Sequence, residues 1–387
     1  MGRVTIRDIA RETHTSVSTV SRVLNGSVHV ASETKQIVEE AVKRLRYIPD
    51  SRAQSMRWQH THFVGLMVPD ITNRHFALLA QVIKGALLRS GYLALLGTTM
   101  EESAVQDLYA TSMLSQHVDG AIVIPQGSQS PAMRRLFDSD IPIVLVDRPL
   151  DRKAAIPLVD SDPVPGMNGA LKDFRKRGHT MIGYLAGPVR HAPALKLRRQ
   201  AFERLAVPMF GEENVVVDTD SSDAASFHDM LGVVDSNGSL YPDEIVSNNR
   251  VTALLSHNVL LADSLTEKTR DSFDQYSKRI GVALQAMMDR GVTAVMFAYS
   301  TDTVVALSWI NAQGIRLGKD LSLVSFDNLE MFDLISPRIA AIAQPDVQMG
   351  VQAAELMLER IDHIPVSSVR IPTRYIHRES VGTAPGV

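Results

Sequence analysis

The 387-residue chain contains no cysteine, which excludes disulfides, thiolate metal sites and cysteine nucleophiles. Aromatic residues make up only 5%. No run of 18 apolar residues occurs, and no charged-then-apolar leader is present, so a soluble, cytoplasmic protein without membrane contact is expected. Enzyme signatures are missing as well. There is no His-Glu-x-x-His or Gly-x-Ser-x-Gly, and Gly314 to Asp320 has neither the spacing nor the terminal Ser/Thr of a phosphate loop. His60-Thr61-His62 reads as a solvated linker tip rather than a zinc site. Catalytic residues, metal and cofactor are therefore not expected.

What the chain does have is length and an uneven distribution of charge. Its 387 residues exceed one ordinary domain, and 45% hydrophobic residues suffice for a real core. The net charge of -3 conceals an asymmetry: residues 1–60 hold 10 Lys/Arg against 6 Asp/Glu, leaving 30 against 37 for the rest. A basic front on an acidic body is the pattern of a protein whose front alone meets phosphate.

The front reads as short helices. Ile6, Ile9 and Ala10, then Val17, Val20 and Leu24, form two narrow apolar stripes at helical spacing. Thr5 and Ser16 stand where N-caps belong. The segment Thr13-His14-Thr15-Ser16 between them permits only a sharp reversal. Opposite its stripe the second helix offers Ser18, Thr19, Ser21, Arg22 and Asn25. Hydroxyls reach phosphates or base edges, Arg can fork onto guanine, and Asn can pair with adenine. A plain amphipathic hairpin with a solvated face is the competing reading. A third helix over 33–46, capped by Ser32, carries Ile37, Val38, Ala41, Val42 and Leu45 on its apolar face and stops at Tyr47-Ile48-Pro49. Residues 50–60 are polar and basic, as in a linker.

The body alternates short apolar runs with helical patterns. Strands are predicted at Phe63–Val68, Tyr92–Thr98, Gly120–Ile124, Ile141–Asp147, Met181–Ala186, Val215–Asp218, Ala294–Ala298 and Leu321–Phe326. Such alternation implies parallel sheets covered by helices on both faces. Two units are expected, split near residue 150, with a return crossover after Gln344-Pro345. Residues 211–275 hold 13 Asp/Glu against 3 Lys/Arg and read as an acidic surface insertion, with an apolar patch from Val251 to Leu261 suited to a small folded piece.

Through Val4-Thr5-Ile6-Arg7-Asp8-Ile9-Ala10, Ser16, Thr19 to Asn25 and Tyr47-Ile48-Pro49, the chain resembles the LacI/GalR (lactose-repressor) family of bacterial transcription regulators. Later signatures extend the resemblance over nearly the whole chain. It implies an α/β protein: an N-terminal all-α helix-turn-helix head over 1–48, a hinge helix or linker over 49–61, and a two-lobed body over 62–387 of periplasmic-binding-protein type I character. By position, Val17, Ser18 and Arg22 would read bases, Asn25, His29 and Thr34 would hold the backbone, and Thr5, Ser16, Thr19 and Ser21 would complete the DNA face. Met56 would wedge into the minor groove, where leucine is usual; packing on the next domain is the competing role and the better one for Trp58. Thr13-His14-Thr15 departs from the family's Ala-Gly-Val, where glycine suits the left-handed turn and His is among the residues that tolerate it.

The same resemblance implies an effector cleft between the lobes. Asn73 and Phe76 would offer a hydrogen bond and a stacking face, with Arg74 and His75 in place of Pro-Phe adding positive charge. Asp147 would take hydroxyls. Arg198 and, in Ser325-Phe326-Asp327-Asn328, Phe326 and Asp327 would complete the site, unless Arg198 and Asp327 merely pair with each other. At Phe297-Ala298-Tyr299-Ser300 the family's Asn-Asp is lost, Ser300 standing in the acidic place, and a local gap would offer Asp302 instead. Losing a carboxylate weakens polyol recognition, so a phosphorylated or carboxylated metabolite is expected rather than a neutral hexose. The expected partners are a small-molecule effector, a second copy in a homodimer, and double-stranded DNA bearing a pseudo-palindromic operator. The other function class is a solute-binding protein without a regulatory DNA role.

Overall fold

In the computed structural model the described residues are 4–24, 29–47, 60–100, 102–126, 130–150, 156–187, 193–218 and 262–386. Contacts divide the chain between Thr61 and His62 into two units. Asn25, Ile48-Pro49, Met56, Trp58 and the apolar patch from Val251 to Leu261 lie outside the described residues.

The first unit is built on α1 (Ile6–Glu12), α2 (Val17–Leu24) and α3 (Ser32–Arg44). Thr5 opens α1, its backbone N–H and hydroxyl both donating to Asp8 at 2.9 and 2.7 Å. Ser16 caps α2 by accepting from the Thr19 N–H at 3.1 Å. The core joins Ile9, Ala10, Val20, Val23, Val38 and Ala41. Two expectations fail here: Val17 and Ile37 are 42% and 46% exposed, and Val20 and Val23, with Val38 and Ala41, turn those helices to the core. The cap of α3 is also misplaced, since Ser32 is already helical and Ala31 precedes it without a side-chain bond. The turn keeps its shape despite its sequence. His14 holds φ 49°, and the flanking Thr13 hydroxyl donates to the Ile9 carbonyl at 2.9 Å and meets the Thr15 hydroxyl at 2.8 Å.

The second unit contains two sheets of 6 strands each. In chain order the elements are β1 (Phe63–Val68), α4 (Arg74–Arg89), β2 (Leu93–Thr98), α5 (Ser103–Gln116), β3 (Gly120–Val123), α6 (Pro131–Phe137), β4 (Ile143–Val146), β5 (Leu158–Asp162), α7 (Pro163–Lys176), β6 (Ile182–Leu185), α8 (Pro193–Phe210) and β7 (Val215–Asp218). Then follow α9 (Ala262–Asp289), β8 (Ala294–Phe297), α10 (Ser300–Ala312), β9 (Ser322–Phe326), β10 (Ala340–Ala343), α11 (Asp346–Ile361), β11 (Val369–Pro372) and β12 (Arg374–Ile376). The first lobe has the order β11-β5-β4-β3-β1-β2 and the second β12-β10-β9-β8-β6-β7. All described pairings are parallel except β10 with β12. Strands such as β3, β4, β6 and β8 are buried throughout, which is why they read as continuous apolar runs.

The chain leaves the first lobe at Asp162–Pro163, not near residue 150. The polar strand Leu-Val-Asp-Ser-Asp of β5 hides this boundary in the sequence. The return at Gln344–Asp346 lies where expected, and a further crossing follows at Thr373, between β11 and β12. These crossings are stitched together: the Thr373 hydroxyl donates to the Asp162 carbonyl at 2.7 Å and accepts from Gly166 N–H at 3.1 Å. Gly166 is required there, since a Cβ would lie 2.5 Å from Ile342 and 2.7 Å from Thr373. The region 211–275 is not wholly an insertion either. Its first residues form edge strand β7 and its last belong to α9, leaving 219–261 outside the described residues.

Candidate functional site

Two regions bring functional side chains together. On the head, Thr5, Ser16, Val17, Ser18, Arg22 and His29 are exposed, while Thr19, Ser21 and Thr34 are half-buried. Ser16 binds the hydroxyls of Ser18 and Thr19 at 2.7 and 2.8 Å. The start of α2 thus presents a tethered group of hydroxyls one turn before the guanidinium of Arg22, a surface of phosphate-reaching and base-reading groups.

The other region is the cleft between the lobes, a cavity of about 250 Å³ lined by Asp147, Asp160 and Ser161 on the first-lobe side and by Leu197, Arg198 and Arg204 on α8. Asp147 and Asp327 each follow a strand end, at φ 62° and 70°. This left-handed backbone turns a side chain out of the strand direction, and aspartate tolerates it better than most residues. Arg198 is buried over the Phe326 ring at 3.9 Å, donates to the Ala298 carbonyl at 2.9 Å and stands 3.8 Å from Asp327. Gln344, at the return crossover, donates to Asp327 at 2.7 Å and accepts from Ser161 at 2.5 Å. On the first lobe, His75 is buried between Asp346, at 2.9 Å from Nδ1, and Asp147, at 3.4 Å from Nε2.

The charges of these groups follow from their surroundings. Burial opposes protonation of His75, but the two carboxylates overcome it and raise its pKa to about 10. Burial alone would raise Asp147; His75, aided by Arg198 and Arg148, instead lowers it to about 2. For Asp327 burial prevails over Arg198 and His75, and its pKa is raised. Burial likewise raises Asp302, to about 6, against the Tyr276 hydroxyl and Arg279.

Of the effector residues expected from the sequence, Asp147 and Arg198 line the cavity, and Asp327 and Phe326 support Arg198 from behind. The Asn73 side-chain oxygen caps α4 by accepting from His75 N–H at 3.0 Å, which leaves its amide NH2 as the donor it could offer. Phe76 belongs to the first-lobe core beneath Arg148. Ser300 is buried in the first turn of α10. Asp302 is fully buried and accepts from Tyr276, so it does not replace the missing acceptor at the cavity surface. Arg74 does not bring free charge: its guanidinium pairs with Glu330, the Nε contacts being 2.7 and 2.9 Å. Sequence reasoning missed Asp160, bound by Arg370 at 3.0 Å, together with Asp346 and Arg204. Gln344 carries a signal in the sequence only as the mark of the return crossover.

Residues 5–50 match the bacterial regulatory proteins of the lacI family. Residues 61–281 match the periplasmic binding proteins and sugar binding domain of the LacI family, and 233–381 a periplasmic binding protein-like domain. The ribose operon repressor of Halalkalibacterium halodurans is 27% identical over 380 residues, covering 97% of this chain and 96% of that protein. The HTH-type transcriptional repressor PurR of Vibrio cholerae is 28% identical over 359 residues, covering 92% and 91%. Among solved structures, the lac repressor dimer bound to operator and the anti-inducer ONPF has a TM-score of 0.73 at 19% identity, covering 98% of this chain and 100% of that one. The transcriptional regulator CelR–cellobiose complex has a TM-score of 0.59 at 23% identity, covering 98% and 100%. No described helix is long and apolar enough to cross a membrane. The chain belongs to the LacI family of bacterial regulatory proteins, as a DNA-binding transcription regulator and not an enzyme.

Proposed function

We propose that this regulator is a cytoplasmic repressor that binds a pseudo-palindromic operator as a homodimer and is gated by a sugar-like metabolite carrying a phosphate or carboxylate. The observation that carries the effector class is the cavity wall itself: Arg198 and the exposed Arg204 face Asp147 and Ser161 across about 250 Å³. Arg370, on the first-lobe side, is taken up by Asp160; Arg198 and Arg204 suit an anionic group, and Asp147 and Ser161 suit hydroxyls. The sugar-like part is supported by relatives named for a ribose operon and solved with cellobiose, and the dimer by the lac repressor on its operator. Asp147, Arg198 and Asp327 are the proposed effector residues; Ser16, Val17, Ser18, Arg22 and their neighbours are the proposed DNA contacts. A ligand that binds one lobe arrangement more tightly than the other shifts the population of DNA-competent dimers by that difference in affinity.

Calorimetric titration of the full chain with a hexose 6-phosphate and a pentose 5-phosphate, each beside its neutral parent sugar, tests the effector class. Binding confined to the phosphates and lost in Arg198→Met supports it; tight binding of a neutral sugar with none of its phosphate rejects it. For the DNA face, Arg22→Ala should weaken operator binding about 10-fold or more and relax base preference at its contact. Unchanged retardation of the operator by that variant rejects the assignment.

A further inference from the structure

The tandem cations Arg74 and His75, at the start of α4, meet three carboxylates from separate parts of the body. Arg74 binds Glu330, on a short 3-10 turn of the second lobe (Glu330–Asp333), through Nε at 2.7 and 2.9 Å and through a further contact from Nη2. His75 binds Asp346 at 2.9 Å, at the point where the chain has just returned to the first lobe, and lies 3.4 Å from Asp147 at the end of β4. Asp346 also acts on Arg74 through space. Gln344 continues the set, with its amide 3.4 Å from His75 and 2.7 Å from Asp327.

From this juxtaposition we infer that Arg74 of the first lobe and Glu330 of the second form a clasp between the lobes, anchored by the His75–Asp346 pair, that holds them together without any ligand. In the anchor His75 is buried and Asp346 is 21% exposed, while the Arg74–Glu330 arm is 39% and 64% exposed at its side chains, so it can release. A bidentate guanidinium–carboxylate pair has a defined geometry, unlike a lysine contact, and one formed between two lobes is made in a single lobe arrangement. The clasp therefore sets how far the effector must shift the lobes. That consequence rests on the cleft being the effector site; the clasp itself does not, and its test uses no effector.

The absence of cysteine lets spin labels be placed at A104C and K196C alone, exposed positions on α5 and α8. Interlobe distances in the full chain are then measured for the unsubstituted clasp, for Arg74→Gln, for Glu330→Gln and for both together, with labelled chains diluted into unlabelled ones. Each single substitution should raise the open population about two- to fivefold, as expected for an exposed pair, and the double should resemble either single. Raising salt from about 0.05 to 0.5 M should open the intact clasp and leave the double variant unchanged. Unaltered distances in both singles, independent addition of their effects, or equal salt responses in the intact and double-substituted chains would each overturn the clasp.

Discussion

Asp147 and Asp327 occupy matching places, one just past β4 and the other just past β9, and both hold left-handed backbone. Both are buried. Their surroundings differ in how closely an opposite charge approaches. Asp147 accepts from His75 and lies within the field of Arg198 and Arg148, which hold it charged, whereas for Asp327 burial, with Asp346 nearby, outweighs Arg198 at 3.8 Å, His75 and the Gln344 amide, and raises its pKa. Asp302, deeper in the second lobe, follows the same rule as Asp327. The first lobe thus holds an ion pair beside the cleft, and the second lobe holds carboxyls whose pKa burial raises. A shared backbone device fixes where a carboxyl stands; its neighbours fix what charge it carries.

The largest effect should come from Asp147→Asn, which leaves the buried His75 and Arg148 short of a counter-charge. A loss of about 3 kcal/mol at pH 7 is expected in urea unfolding, and a loss below about 0.5 kcal/mol would erase the contrast between the lobes. Next is the alkaline limb. Because the pKa of His75 is raised in the folded state to about 10 from 6.5, its contribution is complete below about pH 6.5 and disappears as pH rises through 10. Stability should fall by roughly 3–4 kcal/mol between pH 7 and 10, and His75→Gln should flatten that limb. Asp302→Asn should act in the opposite sense. The folded pKa of Asp302 is raised to about 6 from 3.8, so its contribution is present below 3.8 and lost as pH rises through 6. Replacing it should add about 1–2 kcal/mol at pH 8 and little at pH 4; equal gains at both pH values would show that charge is not the reason. Smallest is Asp327→Asn, whose charged form is already disfavoured: a change under about 1 kcal/mol is expected, and a loss matching that of Asp147→Asn would make the two carboxyls equivalent.

Local patterns made the head and the central strands legible. A capping residue, a stripe and a turn involve neighbours in sequence, and buried parallel strands such as β1 and β8 are apolar from end to end. Four strands escaped: β10 is only the four-residue run Ala-Ala-Ile-Ala, and β5, β11 and β12 are short and carry Asp160, Arg370 and Arg374, with Asp160 and Arg370 pairing some 210 residues apart. The cleft was legible in part for the same reason. Arg198, Asp147 and Asp327 were recognisable from motifs, but the fates of Asn73 and Arg74 depend on a helix cap and on a distant glutamate. A motif names which side chains can reach a place; tertiary contacts decide which of them are still free.

The edge strands β11 and β12 carry a consequence for how this protein is made. The first-lobe sheet lacks its outer strand until residues 369–372 join β5, and the second lacks β12 until residues 374–376 join β10. Synthesis of the head finishes some 300 residues earlier than either event. A ribosome therefore releases a DNA-reading module long before the sensor that governs it can close. Premature termination before residue 369 would leave both sheets without their outer strand while sparing the head, so a chain truncated there is a reader without a sensor.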